Sequence, residues 1–193
     1  MISNISTGET GLYIAREAKR YGADVTLVLG PVQGYNFDSS IKVIHFKFFE
    51  ELKKILKEKL SSKKFDILVH CAAVSDYKLK RVYKKKLRSE LRRLNLVLEP
   101  TEKIADSIKK YDPKIFLVVF KLELDIDKDR LIKKTRRLLN HTDADLAVGN
   151  TFNEGFYRAI ILDREKVLAS VRSKRELVKK LLRIIDLNLP KFD

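Results

Sequence analysis

Apolar positions along the chain follow two patterns, a helical recurrence and short continuous apolar runs, and they alternate. From Gly8 to about Tyr21, residues Leu12, Ile14, Ala15 and Ala18 recur at helical spacing, and Gly22 supplies the stop. Asp24 to Leu29 is a short β-branched run closed by Gly30-Pro31. Ile41 to Phe46 reads as another strand, and Phe48, Phe49, Leu52, Ile55, Leu56 and Leu60 mark an amphipathic helix. Phe65 to Cys71 is nearly all apolar, as a strand buried on both faces should be. The pattern then predicts a strand over Leu94 to Leu98, a helix over Thr101 to Tyr111, a strand over Lys114 to Phe120, a helix from about Ile126 to Leu139 and a strand over Ala144 to Gly149. Arg158 to Asp163 and Lys166 to Ser170 pair as a hairpin around Arg164-Glu165, and a last helix opens at the capping-box pattern Ser173 to Glu176 and ends near Asp186.

Short apolar strands joined by helices predict one α/β domain over residues 1–193. It is doubly wound around a mostly parallel sheet with helices on both faces, and it carries a C-terminal antiparallel extension. Such sheets bind ligands beyond the carboxyl ends of their strands. That places the candidate segments at Gly30-Pro31, Ala72 to Tyr77, Phe120 to Glu123 and Gly149 to Phe152. The first helix begins about eight residues from Met1, too early for the strand that normally opens a doubly wound domain.

Composition narrows the partners. The net charge of +15 suits nucleic acid, an anionic membrane surface or phosphorylated small molecules. Abundant Lys, Arg and Glu, with one Gln, one Cys and no Trp, also fit adaptation to high temperature. A single cysteine forms no intramolecular disulfide, and Cys/His spacing for zinc is absent. No apolar run approaches a membrane span and the N-terminus does not read as a signal peptide, so the cytoplasm is the expected compartment.

Five segments could carry chemistry. Ser3 to Gly11 brings hydroxyls, glycines and free backbone N–H groups to a helix start, which suits a phosphate; Ser6 to Glu9 equally reads as a capping box. It has neither the Gly-Lys-Ser/Thr ending of a P-loop nor a G-x-G-x-x-G pattern. Ala72-Ala73-Val74-Ser75-Asp76-Tyr77 offers small residues for close approach of a base or sugar, and a carboxylate for a ribose or base; an ordinary turn Asp is the plainer alternative. Lys78 to Arg93 holds nine basic residues against one acid, more than half the net charge. Such a run is either a solvated surface loop or a lid that orders over anionic substrates. Phe120-Lys121-Leu122-Glu123 and Gly149-Asn150 close two strands, where polar groups contact ligands or simply make turns. His70 and Cys71 read as core residues.

In this order and spacing, the five segments resemble the phosphopantothenoylcysteine synthetase family. Ile2-Ser3-Asn4 with Ser6-Thr7-Gly8 and Gly11 is similar to the family's Ile-Ser-Asn-x-Ser-Ser-Gly-x-x-Gly. Ala72 to Tyr77 is similar to its Ala-Ala-Val-Ala/Ser-Asp-Tyr/Phe. Lys86-Leu87-Arg88 sits where the family has a flexible flap, and Pro100 to Ile104 resembles its Pro-x-x-Ile helix start. Phe120 to Glu123 and Ala147 to Asn150 resemble two further motifs.

The resemblance implies a Rossmann-like fold and a ligase that joins 4'-phosphopantothenate to cysteine through an acyl-nucleotidylate. It implies CTP or ATP as cosubstrate, Mg²⁺ with the nucleotide, a homodimer and, in many relatives, an associated decarboxylase. Membrane and nucleic-acid partners are not expected. By the same resemblance Asn4 and Lys86 are catalytic. Ala72, Ala73, Asp76, Lys86, Lys103, Ile104 and Phe120 hold the nucleotide, and Asn4, Ser6, Thr7, Gly8 and Asn150 hold the substrate; no metal-ligating residue is implied. The departures are Glu9-Thr10 in place of a common Lys-Met, Thr151 where an acid is frequent, and the opening strand, so a truncated chain of impaired activity is one alternative. A short-chain dehydrogenase is another, but it needs Tyr-x-x-x-Lys, and Tyr13, Tyr77 and Tyr83 are followed four on by Glu17, Arg81 and Leu87. A nucleic-acid-binding module would use the basic run, where aromatics are sparse.

Overall fold

A computed structural model describes residues 6–32, 34, 39–81, 93–153 and 155–189. Helix α1 (Glu9–Arg20) buries Leu12, Ile14 and Ala15. Its end is a Schellman turn: Ala23 N–H donates to the Ala18 carbonyl (3.1 Å) and Gly22 N–H to that of Lys19 (3.0 Å), with Gly22 at φ 86°. Strands β1 (Thr26–Leu29) and β2 (Lys42–His45) pair in parallel. Helix α2 (Phe49–Ser61) leads to β3 (Ile67–His70). A short antiparallel ribbon of β4 (Tyr77–Leu79) and β5 (Leu98–Pro100) follows, then α3 (Ala105–Tyr111). Strand β6 (Phe116–Leu124), helix α4 (Lys128–Thr142), strands β7 (Leu146–Asn153), β8 (Phe156–Leu162) and β9 (Val167–Val171), and helix α5 (Lys174–Asn188) complete the chain.

The main sheet runs β3-β6-β7-β8-β9. Its first three strands are parallel and its last two antiparallel, as the chain's pattern predicts. Two cores cover its faces. On one, Ile14 of α1 and Leu177, Val178, Leu181 and Ile185 of α5 pack on Val118, Val148 and Ile161. On the other, Leu60, Ile108, Leu131 and Leu139 of α2, α3 and α4 pack on Leu117, Val119, Ala147 and Ile160. Side chains such as Leu139, Leu177 and Leu181, at 0 % exposure, each contribute about 1.5–3 kcal/mol by leaving water.

Four expectations are corrected. The parallel strands do not form one ladder among the described residues: β1-β2 is a separate pair. A cluster of Val28, Leu52, Leu56, Leu68 and Ile104 joins it to the main body. Strands β6 and β7 run about four residues past Phe120 and Gly149, because Lys121 to Leu124 pair with Gly149 to Phe152 in parallel. The continuous apolar run ends there only because helices no longer cover both faces, so the pattern becomes alternating rather than turn-like. The strand expected over Leu94 to Leu98 forms instead at Leu98–Pro100, opposite Tyr77–Leu79. The helix expected from Thr101 starts at Ala105, because Thr101 is spent on a tie to β4: its N–H donates to the Asp76 carbonyl (2.9 Å) and its hydroxyl to that of Ser75 (2.6 Å).

Candidate functional site

The parallel strands β3, β6 and β7 point their carboxyl ends the same way, and α1 starts against the residues that follow β1 and β3. Gly8, its N-cap, takes φ 71°, and a Cβ at Gly8 would lie 3.1 Å from Val32 Cγ1, just beyond β1. One turn on, a Cβ at Gly11 would lie 3.3 Å from Cys71 Sγ, just beyond β3. Both glycines let α1 lie close against the ends of two strands.

The capping box read at Ser6 to Glu9 does not form. Gly8 is the N-cap and no side chain caps it. Ser6 Oγ accepts from Gly8 N–H (3.2 Å) and Thr7 Oγ1 from Glu9 N–H (3.4 Å), so both hydroxyls are exposed around a hydrogen-bonding turn. The Glu9 carboxylate turns outward from the cap, accepts from Tyr13 Oη (3.0 Å) and pairs with Lys174 of α5. Lys174, then Tyr13, hold that carboxyl below the usual range. A left-handed glycine opening a 12-residue helix, with two exposed hydroxyls that an arriving anion could replace as acceptors of the Gly8 and Glu9 N–H groups, has the chemistry of an oxyanion cradle.

Beyond β3, Ala72 and Ala73 are exposed, leaving open backbone for a flat ligand. Asp76 is exposed and ion-paired with Lys103, so these two expected ligand groups neutralise each other here. Ile104 is placed differently from the rest: at 5 % exposure its side chain belongs to the Leu52–Leu56 cluster and not to an open surface. Strand alternation puts Phe120 and Asn150 on the α1/α5 face, and both are half-buried. Lys121 and Glu123 take the opposite face, where Glu123 binds Lys134 (2.7 Å) and Lys121 (3.2 Å); these pairs hold its carboxyl low. Burial pushes the Cys71 thiol up to about 11 and the His70 imidazole down to about 4, so both are neutral near pH 7.

The ribbon β4–β5 brackets residues 82–92, the centre of the basic run, with Lys78 and Glu99 paired across it at 3.7 Å. Asn4 and Lys86 lie outside the described residues. Sequence reasoning missed Lys174, whose ring contact with Phe152 (5.8 Å) and ion pair with Glu9 put a cation between the helix start and the end of β7. No local pattern signals it, because its partner Glu9 is 165 residues away.

A doubly wound α/β domain with small residues, hydroxyls and a helix start gathered beyond the carboxyl ends of its strands is, by class, a small-molecule-binding domain. Its lineage is more particular. The chain belongs to the family described as the DNA/pantothenate metabolism flavoprotein C-terminal domain, whose profile matches residues 1–187. It is 35% identical over 185 residues to the coenzyme A biosynthesis bifunctional protein CoaBC of Thermococcus kodakarensis, covering 93% of this chain and 45% of that protein. The chain thus spans about half the length of the curated relatives it matches. Its fold is that of the DNA/pantothenate metabolism flavoprotein from Streptococcus pneumoniae (TM-score 0.86, 24% identity, covering 97% of this chain and 91% of that one). It is also that of a Cab2 variant in complex with phosphopantothenate-cysteine (TM-score 0.69, 15% identity, 96% and 80%).

Proposed function

We propose that this chain carries the synthetase activity of coenzyme A biosynthesis, condensing 4'-phosphopantothenate with cysteine at the expense of a nucleoside triphosphate. The observation that supports this reading is that α1 opens at Gly8 beside the ends of β1 and β3, with exposed Ala72–Ala73 following β3 and with Phe120 and Asn150 on the α1/α5 face of the sheet, in a member of this family.

In this reading the phosphopantothenate carboxylate attacks the α-phosphorus of the triphosphate and pyrophosphate leaves, giving an acyl-nucleotidylate. The cysteine amine then attacks the activated carbonyl and the nucleoside monophosphate leaves. Ser6, Thr7 and Gly8 hold the pantothenate moiety or its phosphate through hydroxyls and helix N–H groups. Ala72, Ala73 and Asp76 receive the nucleotide, with Phe120 beside the base; Lys103 releases Asp76 as the ligand arrives. Asn150 lines the acyl pocket, and Asn4 contacts the acyl-nucleotidylate. Lys86 neutralises phosphate charge, and the basic segment around it excludes water from the anhydride. CTP or ATP serves as cosubstrate. Mg²⁺ comes with it, since this ion keeps to phosphate oxygens and water rather than an all-protein cage.

The exposed Leu122, Leu124 and Phe152 at the end of the sheet support a homodimer. A decarboxylase partner and a cytoplasmic setting follow from the same pathway; no helix of the described residues is long and apolar enough to cross a membrane. The test is pyrophosphate release with 4'-phosphopantothenate and Mg²⁺, run with CTP and with ATP, with and without cysteine. Release that requires phosphopantothenate is expected, and Asn4→Ala and Lys86→Gln should each slow turnover. Release indifferent to phosphopantothenate, or both variants at full rate, overturns the reading.

A further inference from the structure

On the opposite face of the sheet from Asn150, a cavity of about 420 Å³ opens between the first turn of α4 and the β7–β9 end of the sheet. Lys128, Leu131, Thr151, Arg158, Ser170 and Arg172 line it, and none of its lining residues is acidic. Thr151 lies directly opposite Arg158 in the antiparallel ladder. Ser170 pairs with Ile160, two residues further along the same face.

Two features there are unfavourable for an empty site. Thr151 is only 2 % exposed, yet its Oγ1 has no hydrogen-bond partner, so its desolvation goes uncompensated. Three cations share one cavity, and among the described residues neither Lys128 nor Arg158 forms an ion pair. A bound oxyanion resolves both. It accepts from the Thr151 hydroxyl and neutralises the cations with charge-assisted hydrogen bonds.

The geometry points to a second anion site in this protein: the α4–β7–β9 cavity binds a phosphate group, as inorganic phosphate or as a phosphate monoester. Phosphate chemistry fits because guanidinium groups bind tetrahedral oxyanions bidentately, and two hydroxyls can serve the remaining oxygens. The inference is independent of the ligase reading, since Asn150 and Thr151 face opposite sides of β7.

The test is a titration of the full chain with inorganic phosphate, and separately with glycerol 3-phosphate, at low ionic strength, followed by backbone amide NMR. Saturable shifts at Thr151, Arg158, Ser170 and Arg172 are expected. Arg158→Gln should weaken them roughly tenfold or more, with Lys128→Gln, on the exposed helix surface, as the second variant should the first not fold. Thr151→Val should also weaken binding. The tighter of the two probes distinguishes a free ion from a phosphorylated metabolite. The proposal is overturned if shifts are confined to Ser6 to Gly8 and other distant amides, or if the variants bind as the parent does. It is equally overturned if Thr151→Val simply raises the melting temperature with phosphate shifts unchanged.

Discussion

Glu9 and Lys174, 165 residues apart in the chain, form an ion pair that ties the first turn of α1 to the first turn of α5. Their side chains are 34% and 26% exposed, so solvent screens the pair only in part. Because the Glu9 pKa is lowered on folding, the pair's contribution is complete above the ordinary carboxylate value of 4.5 and is lost as pH falls through the depressed one. Glu9→Gln should destabilise the protein by about 0.5–1 kcal/mol at pH 7 and leave it equal to the parent in strong acid. Urea denaturation at both pH values measures this, and an equal difference at both refutes the pairing.

Gly149 is required by packing rather than by backbone conformation. A Cβ there would collide with Thr135 Oγ1, whose hydroxyl already donates to the Leu131 carbonyl at 2.7 Å in the buried face of α4. Gly149→Ala should cost roughly 1–3 kcal/mol by overpacking. Adding Thr135→Ala should recover part of that loss, and a double-mutant cycle from denaturation midpoints measures the coupling. Strict additivity would disprove the contact.

His70 ties stability to mild acid. Its folded pKa is lowered by burial to about 4, against 6.5 when unsolvated contacts are lost on unfolding. The unfolded chain therefore binds more protons between those values, and stability falls as pH drops from about 6.5 to 4. The effect should be about 3 kcal/mol by pH 4. His70→Asn should flatten the slope across that window; a slope unchanged by the substitution would show that His70 is solvated in the native state.

Leu122 and Leu124 are 55% and 67% exposed, side by side with Phe152 across the β6–β7 ladder. If this apolar face holds two copies together, Leu124→Glu should yield monomers by light scattering, with the far-UV spectrum retained and turnover reduced. A variant that is still dimeric would place the interface elsewhere.

The candidate site is partly legible in the sequence. Ser6-Thr7-Gly8 and Ala72-Ala73 stand out because small and hydroxyl residues at element ends are a local chemical signal, and Asn150 because a polar residue interrupts an apolar strand. Asn4 and Lys86 rest on the resemblance alone. Ile104 could not be placed from its motif: whether a residue after a ribbon faces ligand or core depends on α2, which packs Leu52 and Leu56 against it.

By itself the chain's pattern determined the succession of helices and strands apart from the β4–β5 ribbon, the doubly wound class and the C-terminal hairpin. Helical periodicity, continuous apolar runs and turn residues are properties of neighbours a few positions apart. Only the tertiary structure decided the rest: the split of β1-β2 from the main sheet, the extension of β6 and β7 beyond their apolar runs, the Glu9–Lys174 clamp and the cluster of Lys128, Arg158 and Arg172 around Thr151. Each depends on which distant segments become neighbours, and so on strand pairing and the faces that helices cover, for which no short window of sequence holds both partners.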